Sequence, residues 1–194
     1  MTAEATQAVW LIGVVAWFVI RLPHQLKARK TPIARRAGGW QDRLLLVISS
    51  IGLGVIPMIY VFTGEPSFAD YPFQPALGVV GVLLMIGALA LFRLTHKHLG
   101  RNWSVTLDTR KTHKLVDTGI YAHVRHPMYS AFWLLAFSQA ALLPNWFAGL
   151  AGLVAWGILF FLRVGREERL MIDTFGDQYE RYMQRTKRVL PWIY

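Results

Sequence analysis

Residues 44–62 read LLLVISSIGLGVIPMIYVF, nineteen consecutive positions without a charged side chain. A helix that crosses the hydrocarbon core of a bilayer takes about 20 apolar residues, so this stretch is predicted to be a membrane span. Four further apolar runs lie around it, at Thr6–Ile20, Leu77–Phe92, Tyr129–Leu143 and Trp146–Leu162. Hydrophobic residues make up 54% of the 194-residue chain and the mean hydropathy is +0.34, too apolar for an ordinary soluble domain of this size. The run at Tyr129–Leu143 would reach only about 22 Å as a helix, so it either crosses with little tilt in a locally thinned bilayer or turns back with the fifth run as a re-entrant hairpin. Both alternatives return the chain to the same side.

The charges between these runs predict orientation. All 21 Lys and Arg fall in three segments of seven each, at 21–43, 93–128 and from 163 onward. The remaining loops carry Glu4, then Glu65 and Asp70 in a Pro-rich stretch, then the Pro144-Asn145 turn. Because basic residues accumulate in short cytoplasmic loops, the amino terminus is expected outside and the carboxyl terminus in the cytoplasm. A net charge of +10 would suggest nucleic acid in a soluble protein. Here its placement suggests contact with anionic membrane lipids, and no nucleic-acid partner is expected. The first run has no basic region before it, so it reads as a retained anchor-like span rather than a cleaved signal.

The expected fold is thus an all-α integral membrane protein of about five transmembrane segments, the last two a helical hairpin, forming a single membrane domain. Residues 1–92 supply three scaffold spans, with Trp10, Trp17 and Trp40 as interface anchors, a kink at Pro57, and Gly52-Leu53-Gly54 as a helix-packing element. Residues 93–194 carry the chemistry. Pro127 suits the first turn of a helix, Gly176 a helix break, and Ser104–Leu107 a short extended piece.

The absence of cysteine excludes disulfides, thiolate metal sites and a cysteine nucleophile. Six histidines, none adjacent, make a poor metal cluster, so no metal is expected; His126 at a segment entrance is better suited to stacking or hydrogen bonding a polar ligand. No Gly-rich dinucleotide fingerprint and no nucleophile elbow occurs. Arg163 and Glu167 share one helical face where the fifth run meets the cytoplasm. They form either an ordinary intrahelical ion pair or a site in which the acid faces a cationic cofactor and the arginine an anionic substrate. Glu168 is either a second ligand or, the favoured reading, a solvated neighbour.

The stretch from His113-Lys114-Leu115-Val116 through Thr118-Gly119-Ile120-Tyr121 to Arg125-His126-Pro127-Met128-Tyr129 resembles the isoprenylcysteine carboxyl methyltransferases. The order Arg163, Glu167-Glu168, Phe175-Gly176-Asp177-Gln178-Tyr179, Tyr182 and Leu190-Pro191-Trp192 is similar to that family's carboxyl-terminal pattern. Phospholipid amine methyltransferases and NADPH-dependent membrane sterol reductases share the pattern more loosely, so the superfamily is better fixed than the substrate; a non-catalytic membrane scaffold would leave the ordered motifs unexplained. The resemblance covers roughly the last 100 residues and implies S-adenosyl-L-methionine bound in cytoplasmic loops by His113, Lys114, Leu115, Val116, Tyr121, His126, Pro127, Met128, Tyr129 and Glu167. It implies a catalytic, substrate-binding Arg163, and a lipid-modified, prenylcysteine-like acceptor that enters from the bilayer and is methylated on its carboxylate. The first spans carry no matching motif, so they support nothing about chemistry.

Overall fold

A computed structural model describes residues 1–29, 33–36, 38–100, 108–110 and 115–193. The elements are α1 (Ala3–Arg29), β1 (Ile33–Arg36), α2 (Trp40–Ser50), α3 (Ile56–Thr63), α4 (Pro75–Leu99), β2 (Asp108–Arg110), α5 (Pro127–Leu142), α6 (Trp146–Phe175) and α7 (Asp177–Arg185). All five apolar runs are helical. Among the described residues, four helical stretches are long and apolar enough to cross a membrane: Ala3–Ala28, Trp40–Thr63, Pro75–Leu99 and Trp146–Phe175. Helix α5, with 16 residues, is the shorter partner of the hairpin. The outward faces of α1 and α6 expose Val15, Phe18, Val19, Phe161 and Leu162. A contiguous apolar surface of this kind belongs in lipid, and the chain is an integral membrane protein.

The core has two levels. Trp10, Tyr60, Met85, Leu142 and Leu143 fill one end of the bundle, and Leu45, Tyr129, Trp156, Leu159 and Phe160 fill the other. Trp10 is only 1% exposed, so it is a core residue and not the interface anchor its position suggested. Trp17 likewise turns inward, against Phe92 and Phe132, whereas Trp40 is 72% exposed. An aromatic ring can lie on either face of a span, and sequence position alone does not say which.

The kink expected at Pro57 takes the form of a π-helical turn at Ile51–Val55 between α2 and α3. Proline has no N–H and its ring crowds the carbonyl four residues earlier, and a widened turn relieves both. A π-register bond to the Gly52 carbonyl would have to come from residue 57, which is Pro57. Gln139 on α5 supplies the donor instead, its Nε2 donating to the Gly52 oxygen at 3.0 Å and to the Ala148 oxygen at 2.7 Å. Gly52 also packs as a small residue should: a Cβ there would lie 2.4 Å from the Ala155 Cβ.

At the far end, Asn145 caps α6 by accepting from the Ala148 N–H at 2.8 Å. Its amide donates to the Pro66 carbonyl at 2.8 Å and to Asp70 at 2.7 Å. The two loops that carry no basic residue therefore meet at one end of the bundle. At the opposite end α6 stops at Phe175, and Gly176 adopts φ +52, a left-handed conformation that glycine tolerates, before α7 turns back. One element departs from the all-α expectation: β1 pairs antiparallel with β2, Arg36 opposite Asp108. Short extended segments outside a helical bundle satisfy their backbone groups by pairing with one another. Residues 104–107, expected to be extended, lie outside the described residues.

Replacing Gln139 with Leu keeps volume but leaves the buried Gly52 carbonyl without its donor. Thermal unfolding in detergent is expected to show a loss of about 1–3 kcal/mol.

Candidate functional site

Pro127 opens α5, as its fixed φ and missing N–H favour. The residues just before it are held by the end of the chain. The Arg125 N–H donates to the Lys187 carbonyl at 2.7 Å, the His126 N–H to the Arg188 carbonyl at 2.8 Å, and Ser130 Oγ to the Val189 carbonyl at 2.7 Å. Segment 187–189 thus runs alongside the entrance to α5. Glu168 sits beneath this junction, 4% exposed, with Arg125 Nη2 at 2.9 Å, Arg188 Nη2 at 2.7 Å and His126 Nε2 at 3.4 Å. Arg125 also donates to the carbonyls of Met183 and Thr186. The expectation of a solvated Glu168 is therefore corrected. It is a buried acid whose desolvation is offset by two guanidinium groups from distant segments.

Arg163 and Glu167 do share a face of α6, yet each meets a side chain of another helix. Glu167 accepts from the Tyr129 hydroxyl on α5 at 2.6 Å, while Arg163 Nε lies 3.2 Å from Asp42 Oδ1 at the start of α2. Both side chains line a cavity of about 550 Å³. Its helix-end portion is bounded by Leu115, Val116, Tyr121, His126, Tyr179 and Tyr182. Its deeper portion is bounded by Trp17, Leu53, Phe92, Phe132, Leu135 and Trp156, all apolar and contributed by five helical segments. The cavity is a passage from polar loops into the apolar bundle, with Arg163, Glu167 and Tyr129 between the two portions.

Of the ligand-contacting residues expected from sequence, Leu115, Val116, Tyr121, His126, Met128, Tyr129, Arg163 and Glu167 all line this one cavity. Pro127 is buried at the first turn of α5, behind the wall and not on it. His113 and Lys114 lie outside the described residues. The first spans, which carry no matching motif, also reach the site: Trp17, Arg21 and Gln25 on α1 line the cavity, and Asp42 on α2 forms an ion pair with Arg163. Sequence offered one signal for Asp42, an acid among the seven cations of segment 21–43.

Three phenols near the helix ends are shifted upward. Burial is the main cause for Tyr121, Tyr179 and Tyr182; the charge of Glu167 adds to the rise at Tyr121, and those of Glu168 and Glu167 add to it at Tyr179. These hydroxyls stay neutral at physiological pH, and that of Tyr182 donates to the Tyr121 carbonyl at 2.6 Å. Among the described residues no three His, Asp or Glu side chains gather as a metal-binding group. His96 packs on His24 and Phe92, and His126 faces Glu168.

Residues 79–173 match the model of the isoprenylcysteine carboxyl methyltransferase family. The chain is 40% identical over 90 residues to the protein-S-isoprenylcysteine O-methyltransferase of Schizosaccharomyces pombe, covering 46% of this chain and 38% of that one. It is 30% identical over 131 residues to a probable protein-S-isoprenylcysteine O-methyltransferase of Oryza sativa subsp. indica, covering 66% of each. It therefore spans between 38% and 66% of the length of these relatives. A solved structure of a eukaryotic intramembrane isoprenylcysteine carboxyl methyltransferase superposes with a TM-score of 0.52 at 24% identity, covering 79% of this chain and 53% of that one. That likeness concerns the fold.

Replacing Glu168 with Ala leaves Arg125 buried without its acid. Stability is expected to fall by about 3–5 kcal/mol, read as a lowered unfolding midpoint in detergent. Glu168→Gln, which retains an acceptor oxygen, is expected to lose less.

Proposed function

We propose, from the premise that this chain belongs to the isoprenylcysteine carboxyl methyltransferase family through residues 79–173, that it is a membrane methyltransferase acting on the carboxylate of a prenylated cysteine. The observation that carries the reading is the single cavity joining a polar, aromatic mouth to an apolar interior, with an acid and an arginine of one helical face at the junction. A soluble cofactor and a lipid-bearing acceptor have opposite solvent preferences, and such a passage lets each approach from its own phase. The disposition of Lys and Arg supports a cytoplasmic mouth, an outside amino terminus and five spans in one membrane domain, α5 being the short one.

The lining fits S-adenosyl-L-methionine by its chemistry. Tyr121 and Tyr129 present aromatic rings, and Glu167 presents an acid suited to a cationic ligand. Leu115, Val116, His126 and Met128 complete the wall, Pro127 fixes the turn behind it, and His113 and Lys114 are expected to contribute from their matching positions in the family pattern. When bound there, the cofactor supplies a methyl group on a sulfonium, which becomes a neutral thioether as the ester oxygen–carbon bond forms.

The rest is the work of the protein. An acceptor carboxylate is ionised at neutral pH, so no general base is called for. Arg163 is to receive it, using the planar donor edge that lysine lacks. Alignment of nucleophile and electrophile accounts for roughly 7–11 kcal/mol in favourable cases. Trp17, Phe132 and Trp156 exclude water from the deeper portion and offer the prenyl chain an apolar berth.

Calorimetry on detergent-purified protein tests the assignment. Saturable binding of S-adenosylmethionine and its demethylated product is expected, with no binding of NADPH. Glu167→Ala is expected to lose cofactor binding, whereas Arg163→Ala is expected to retain it and lose turnover of a prenylcysteine carboxylate. Binding of NADPH alone points to a sterol-type reductase, binding of none to a scaffold. Full turnover of a phospholipid amine by Arg163→Ala points to that acceptor, which has no carboxylate for an arginine to hold.

A further inference from the structure

Leu190-Pro191-Trp192 belongs to the ordered pattern of the sequence, yet none of the three lines the cavity. The residues before them fix where they lie. Lys187, Arg188 and Val189 are joined in that order to Arg125, His126 and Ser130, so the segment runs parallel to the chain that enters α5 and in the same direction. Ser130 is in the first turn of α5, next to Tyr129, where the apolar run of that helix begins. After Val189 the chain therefore reaches residue 190 at the level where α5 passes from polar surroundings into the apolar belt. Val189 itself is buried in one cluster with Tyr129, Leu159 and Phe160.

At that level the chain turns, the Ile193 N–H donating to the Leu190 carbonyl at 3.2 Å. The turn leaves its apolar side chains uncovered: Leu190 is 53% exposed, Trp192 87% and Ile193 76%. Trp192 has φ +64, a left-handed conformation that costs a non-glycine residue of the order of 1–3 kcal/mol. Three large apolar groups in water add to that cost, whereas burying them at the boundary of a bilayer offsets it. The outer face of the hairpin beside this entrance is apolar as well, with Trp133 against Phe161 and with Phe137 and Phe161 exposed. Lys187, exposed on the polar side of the turn, supplies a cation that can reach lipid headgroups. A tryptophan at the interface, aliphatic groups beside it and a cation on its polar side together fit a lipid surface.

We infer that the turn 190–193 is an interfacial lipid anchor, seated where headgroups meet acyl chains, and that it pins segment 187–189 against the entrance to α5. The anchor is independent of the proposed methyl transfer and requires only that the chain sit in a bilayer.

The chain has no cysteine, so Trp192→Cys and Gln184→Cys each accept a single environment-sensitive thiol label; Gln184 is an exposed residue of α7. In nanodiscs of phosphatidylcholine with phosphatidylglycerol, the label at 192 is expected to emit further to the blue than that at 184 and to be quenched by aqueous iodide about threefold less. A nitroxide on the lipid headgroup is expected to quench it more than one at the end of the acyl chain. Pinning is read by hydrogen exchange: in Trp192→Ser/Ile193→Ser the Arg125 and His126 amides are expected to exchange about tenfold faster than in wild type, while the Ala148 amide, capped by Asn145 at the far end, is unchanged. Equal iodide access at 192 and 184 overturns the anchor. Shielding from iodide without quenching by either lipid overturns it in favour of a second copy of the chain, and strongest quenching from the acyl-chain end overturns the interfacial placement. Unchanged exchange at Arg125 and His126, or equal acceleration at Ala148, overturns the pinning.

Discussion

Glu168 binds two guanidinium groups that arrive from opposite directions in the chain. Arg125 precedes α5, Arg188 follows α7, and the acid itself stands on α6. The buried acid and the buried Arg125 each need an opposite charge, so this junction couples the three segments. The backbone bonds between 125–126 and 187–188 follow from that junction. Tyr179 and Tyr182 on α7 are thereby set against the cavity, and Tyr182 donates to the Tyr121 carbonyl. The polar mouth of the cavity is thus built on one carboxylate.

The deeper portion obeys a different constraint. In lipid, association of helices gains little from burying apolar surface, and close backbone approach and buried hydrogen bonds carry more of the packing. Gly52 against Ala151 and Ala155, Gly81 against Leu142, and Gly13 against Met85 are approaches of that kind. Ser138 donating to the Gly81 carbonyl at 2.8 Å and Gln139 to that of Gly52 are the matching polar contacts. These bonds bring α5, although short, into the centre of the bundle, where Tyr129 at its base reaches Glu167. Fixing α5 therefore fixes the meeting point of the polar and apolar portions.

The family match accords with this division. The matched region, 79–173, contains the hairpin, Arg163 and Glu167, but neither Asp42 nor Arg188. Two of the groups that hold the site in place thus lie outside the segment that identifies it.

The sequence by itself determined what depends on neighbours along the chain. Continuous apolar runs specify helices for lipid, Pro127 a helix start, Gly176 a helix end, Pro57 a distortion, and the spacing of Arg163 and Glu167 a shared face. Of the positions that the resemblance marks as ligand contacts, those that are described line one cavity, apart from Pro127 behind its wall, whereas Glu168, Gly176 and Leu190-Pro191-Trp192 of the same pattern lie off it. Tertiary structure alone decided which partner each charge takes, because pairing depends on distances that close only when separate helices pack. Arg163 and Glu167 fit an intrahelical pair until α2 brings Asp42 to one and α5 brings Tyr129 to the other. Glu168 next to Glu167 is indistinguishable by composition, yet the helix turns it about 100° away, from the cavity wall into the junction of Arg125 and Arg188. Trp10 differs from a lipid-facing tryptophan only in which way its helix is rotated, and that rotation is set by the helices it meets.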